Sequence, residues 1–136
     1  MTKFTVKNKL TKVFEELEKQ GIISRQNFSC CSNCGGYEIT GIAVEKIKNG
    51  TSKEEIKGCC FYHNQDEDGW KEGQNLMLRY GDMDSTEFGE IGLPTIEVGK
   101  IICSELDKEN IVYTWDQNPN KCIEVHNPDR RGLNGI

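Results

Sequence analysis

The residues whose types and spacing could do chemistry lie in the run Cys30-Cys31-Ser32-Asn33-Cys34-Gly35-Gly36. Two thiols three residues apart, followed by glycine, can close on one metal ion or on each other. The glycine lets the backbone fold tightly behind the second thiol. A tetrahedral ion such as zinc asks for four ligands, and no second Cys-x-x-Cys follows to supply the other pair. The later candidates are Cys59, Cys60, His63, Cys103, Cys122 and His126.

Geometry prunes that set. In an extended strand Cys59 and His63 point to the same face but stand about 13 Å apart, too far to share an ion without a bend. His63, at the end of an apolar run and beside a polar stretch, is the better ligand. Asp66 can join it, orient it as a second carboxylate–imidazole partner, or cap a short helix through Gly73. Cys59, Cys60 and Cys103 read as small apolar core filler. The expected metal set is therefore Cys31, Cys34, His63 and Asp66, with zinc as the implied cofactor. Adjacency of Cys30 and Cys31 argues against both binding one ion, yet Cys31, Cys34 and His63 lack a fourth partner, which leaves Cys30, Asp66, another residue or a water to complete the coordination. A water there would give the open arrangement used in catalysis.

The rival chemistry is redox. A Cys-x-x-Cys at a helix N-terminus has a lowered thiol pKa and can cycle through a disulfide. The thioredoxin arrangement places its motif after a strand in a βαβ unit, whereas this motif is expected to follow a helix. A plainer alternative is that the cysteines only pack. Asp82-Met83-Asp84-Ser85-Thr86 has the letters of a phosphatase nucleophile motif but not its surroundings, and an Asp-rich turn accounts for it. Gly-x-Gly-x-x-Gly and P-loop patterns are absent.

The elements that must position these residues follow from periodicity. Val6, Leu10, Val13, Phe14 and Leu17 recur at helical spacing and predict a helix from about Thr5 to Gln20, stopped by Gly21. Ile39, Ala43, Val44 and Ile47 predict a second helix from Cys34 or Gly35 to Asn49-Gly50. Strands are expected over 59–63 and 74–80, then a long acidic loop over 82–92. A third helix opens at Pro94 with Val98, Ile101, Ile102 and Leu106 as its buried stripe. Strands over 111–115 and 121–126 form a hairpin around Asn118-Pro119-Asn120. The expected fold is α+β, in the order helix-helix-strand-strand-helix-strand-strand. Its four-stranded antiparallel or mixed sheet would carry the helices on one face. Residues 1–126 form one domain and 127–136 a flexible tail.

The 136 residues suffice for one domain with a real core, at 35% hydrophobic and 29% charged. The net charge of -5, without a stripe of Lys and Arg, excludes nucleic acid as a partner. No apolar run approaches the roughly 20 residues that span a bilayer, and the N-terminus lacks a signal-peptide core. The expected location is the cytoplasm, where an odd count of seven cysteines argues against a disulfide framework. A non-catalytic interaction module, meeting a protein partner through the acidic loop, is a third functional class.

Taken together, Phe28-x-Cys30-Cys31-x-x-Cys34-Gly35 with Glu38, Gly58-x-x-Phe61-Tyr62-His63-x-Gln65-Asp66, Leu76-x-Leu78-x-Tyr80-Gly81 and Val112-x-x-Trp115-Asp116 carry a resemblance. Over residues 5–126 the chain resembles an uncharacterised bacterial family, the domain of unknown function DUF6891. The resemblance implies a single-domain bacterial cytosolic protein and directs attention to Cys31, Cys34, His63, Gln65 and Asp66. It implies no activity.

Overall fold

Leu10, Val13, Phe14 and Leu17 return every three or four residues, so one stripe of the first helix must find an apolar partner. In the computed structural model, which describes residues 6–128, that helix is α1 (Val6–Lys19), and all four side chains are buried. Each such burial stabilises the fold by about 1.5–3 kcal/mol relative to exposure. Gly21, at φ 94°, ends the helix in a conformation that favours glycine and turns the chain straight into β1 (Ile22–Arg25).

From there the order is α2 (Ser32–Lys48), a 3-10 turn (Lys53–Glu55), β2 (Gly58–Phe61), α3 (Asn64–Lys71) and β3 (Leu76–Gly81). The hairpin β4 (Met83–Ser85) and β5 (Gly89–Ile91) follows, then α4 (Thr95–Lys108), β6 (Tyr113–Thr114) and β7 (Ile123–Val125). The main sheet runs β1-β2-β3-β7-β6, with β1 and β2 parallel and the other neighbours antiparallel. Mixed α+β architecture, the three long helices and the closing hairpin agree with the sequence pattern.

Three expectations are corrected. The sheet has five strands rather than four, because Ile22–Arg25 pairs with β2 instead of merely anchoring a turn. The acidic stretch 82–92 is not a loop but contains the β4–β5 hairpin, in which Met83 and Ile91 turn inward from paired positions. The helices cover both faces rather than one. On one face α1 and α4 pack Leu10, Leu17, Val98, Ile102 and Leu106 against Cys60, Tyr62, Leu78 and Val125. On the other, Ile39 and Ala43 of α2 join Ile23, Cys59, Phe61, Met83 and Ile91. Successive residues of β2 thus feed opposite cores, as pleating requires.

The edge strand β1 is closed by charge. The Glu18 carboxylate accepts from the Ser24 N–H at 2.9 Å and from the Arg25 guanidinium at 3.0 Å, engaging an edge that could otherwise pair with another chain. At the other end of the chain, Asn127 is buried. Its N–H donates to Asn75 Oδ1, and its amide donates to the carbonyls of Trp70 and Gln74. The remainder of the expected tail, residues 129–136, lies outside the described residues. No described helix is long and apolar enough to cross a membrane.

Candidate thiol and metal centre

The pairing of β1 with β2 changes the setting of the cysteines. They do not follow a helix. They sit where the β1–α2 connection enters α2, in a β1–α2–β2 unit whose two strands are parallel. The connecting loop is held from both sides. The Phe28 N–H donates to the Tyr62 carbonyl at 2.8 Å, the Phe28 and Phe61 rings meet edge to face at 5.9 Å, and the Asn64 N–H donates to the Ser29 carbonyl at 2.9 Å. Asn27 and Ser29 adopt positive φ to make these turns.

Cys31 is the N-cap of α2, in extended conformation, and Cys34 is the third residue of the helix. The Sγ atoms of Cys30, Cys31 and Cys34 all lie within 4.8 Å of one another, with Cys30 and Cys31 3.9 Å apart. Cys30 and Cys34 are exposed and Cys31 is half-buried. The adjacency argument against Cys30 therefore fails on geometry: the loop turns the two neighbouring thiols to the same spot. Three cysteines within five residues was the available signal.

Gly35 has a different role from the one its place after the motif suggested. It is buried inside the first turn of α2, and a Cβ there would overlap the ring of Phe61, standing 2.9 Å from Cζ. Absence of a side chain lets the helix start rest on β2, which fixes the thiols relative to the sheet.

Cys31 and Cys34 are shifted in opposite senses. The Cys34 backbone N–H, then the Cys34 and Cys30 thiols, stabilise a thiolate on Cys31 and hold its pKa below the ordinary thiol value. Those same interactions with Cys30 and Cys31 push Cys34 up to about 11. Cys31 lies at the positive end of the helix dipole, which acts in the same sense. Elsewhere burial pushes Cys59 up to about 12, raises Cys60 well above its ordinary value and lifts Cys103 to about 11. These thiols pack, as the sequence suggested.

Of the four expected ligands, the structure brings Cys31 and Cys34 together and leaves His63 and Asp66 outside the cluster. His63 is buried as the N-cap of α3, and Asp66 is that helix's third residue. The Asp66 N–H donates to His63 Nδ1 at 3.4 Å and the His63 N–H donates to Asp66 Oδ2 at 3.0 Å, a reciprocal capping box. The same Oδ2 pairs with the Arg79 guanidinium of β3. Burial lowers the His63 pKa, Asp66 opposes this and Arg79 adds to it. The ring is therefore neutral near pH 7, with Nδ1 as acceptor. The short helix weighed for Asp66 is present, with His63 in the capping position.

The cluster can hold a metal ion by its donor set and spacing. No curated protein and no solved structure was found to match the chain. A family model, "Domain of unknown function (DUF6891)", matches residues 2–131. The chain is a member of that uncharacterised family.

Proposed function

We propose that this chain binds one thiophilic divalent cation, zinc, through Cys30, Cys31 and Cys34, leaving a fourth position open to solvent or to an incoming ligand. One observation carries the reading: three thiols converge within 4.8 Å. Zinc–sulfur bonds of about 2.3 Å in a tetrahedron put neighbouring sulfurs roughly 3.8 Å apart. The 3.9 Å between the Cys30 and Cys31 sulfurs fits that edge as it stands.

Three thiolates on a divalent ion leave one net negative charge, and the first-turn amides of α2 are placed to stabilise it. His63 and Asp66 support α3 in this reading and do not ligate. Cys30 replaces them. Exposure of the site favours a labile ion over one that holds the core together, since two hydrophobic cores already do that. Ligation needs reduced thiols, hence a reducing compartment, for which the cytoplasm is the natural choice.

Titration of the reduced protein with cobalt(II), whose thiolate complexes absorb strongly, tests the assignment. The expected result is sulfur-to-metal absorption saturating at one equivalent, unchanged in His63→Asn and lost in Cys31→Ser. Absorption lost in His63→Asn with the fold intact would restore the histidine as ligand and overturn the three-thiol site.

A further inference from the structure

The same turn of chain has a second chemistry that does not depend on metal. Its elements are the β1–α2–β2 unit, the N-cap position of Cys31 and the position of Cys34 one turn into α2. The Cys31 and Cys34 sulfurs lie within 4.8 Å of each other, and a disulfide brings such a pair to about 2.05 Å. The cluster also holds the two most exposed thiols, while Cys31 and Cys122 are half-buried. Cys59, Cys60 and Cys103 are buried, while Cys30 and Cys34 are exposed.

We propose that, in the metal-free protein, Cys31 and Cys34 form a thiol–disulfide exchange pair that reduces low-molecular-weight disulfides. The Cys31 thiolate attacks one sulfur of the substrate. The substrate S–S bond breaks, a mixed disulfide forms on Cys31, and the departing thiolate takes a proton from solvent. Cys34 then gives up its proton and attacks the Cys31 sulfur. This forms the Cys31–Cys34 disulfide and releases the second half of the substrate as a thiolate that is protonated in turn. The protein dithiol is oxidised by two electrons and the substrate disulfide is reduced to two thiols. Cys30, adjacent to Cys31 in the chain, is not needed for the bond. It serves the metal state.

Bis(2-hydroxyethyl) disulfide, uncharged and small, is the probe. The full chain, reduced and stripped of metal with a chelator, is mixed with it and the disulfides are mapped by mass spectrometry. The expected product is the Cys31–Cys34 disulfide in wild type and in Cys30→Ser. Cys34→Ser is expected to stop at a stable adduct on Cys31, and Cys31→Ser to lose the intramolecular bond. Cys30 and Cys34 are exposed and Cys31 half-buried, and circular dichroism serves to confirm that the serine variants fold. An adduct on Cys30 in Cys34→Ser, or a wild-type product without the Cys31–Cys34 bond, would overturn the proposal. Repeating the reaction with one equivalent of zinc separates the two readings. Suppressed exchange supports both, whereas exchange unaffected by zinc sinks the metal site and leaves the dithiol standing.

Discussion

Gly35 of α2 lies against the ring of Phe61 in β2, close enough that no Cβ can be placed between them. That contact joins the first turn carrying the thiols to a strand at the centre of both cores. Gly35→Ala must displace the ring or the helix start, and overpacking of this kind costs about 1–3 kcal/mol. Urea denaturation should show the loss. Cobalt or zinc affinity should fall with it, because the sulfurs are positioned from this contact. An alanine variant as stable as wild type would mean that the helix start is free to shift.

His63 is expected to matter for α3 and not for metal. Removing a buried cap side chain in His63→Ala should cost about 2 kcal/mol, and Asn, a good N-cap, should recover part of it. Metal stoichiometry should stay the same in both variants. Urea midpoints beside metal analysis give the answer. Equal stability of the Ala and Asn variants would remove the capping role.

The buried imidazole also makes stability depend on pH in a defined sense. Its folded pKa lies below the ordinary 6.5, chiefly because burial disfavours the charged ring. As pH falls past 6.5 the unfolded chain binds a proton that the folded protein does not yet accept. The contribution of His63 is therefore complete above that pH and is lost progressively below it, down to the folded pKa. Wild type should lose more stability than His63→Asn between pH 7.5 and pH 5.5, measured by urea unfolding. The same loss in both would contradict the assignment.

Asn127 predicts where the folded region continues past β7. Its side chain bridges the carbonyls of Trp70 and Gln74 at the end of α3. Asn127→Ala leaves those carbonyls without this donor and should cost about 1–3 kcal/mol. A change in Trp70 fluorescence should accompany the loss. A neutral substitution would place Asn127 with the tail.

How much of this was legible in the sequence depends on the length of the pattern. α1, α2 and α4 each carry several turns of apolar residues at helical spacing, and their limits agree within a few residues with the structure. β1 has four residues directly after a helix cap, too few to show alternation, and it becomes a strand through its parallel partner β2. Missing it removed the βαβ setting, and with it the argument for dithiol chemistry. β2 held an unused clue. Cys59-Cys60-Phe61-Tyr62 is an unbroken apolar run, the mark of a strand buried on both faces. That run was reason to distribute the helices over two faces. His63 reads as a ligand candidate from its place at a strand end beside a polar stretch, whereas its use as a helix cap depends on the short α3 and on Arg79 arriving from β3. Adjacency alone counts against Cys30 and Cys31 sharing one ion, since a one-dimensional reading does not contain the turns at Asn27 and Ser29.

The central claim is that Cys30, Cys31 and Cys34 hold one metal ion. Metal content of the untagged protein, purified under reducing conditions, tests it most directly beside the triple variant with serine at all three positions. The account predicts about one zinc per chain in the wild type and none in the variant, with both folded by circular dichroism. Absence of metal in freshly reduced wild-type protein that stays metal-free when zinc is added would contradict it.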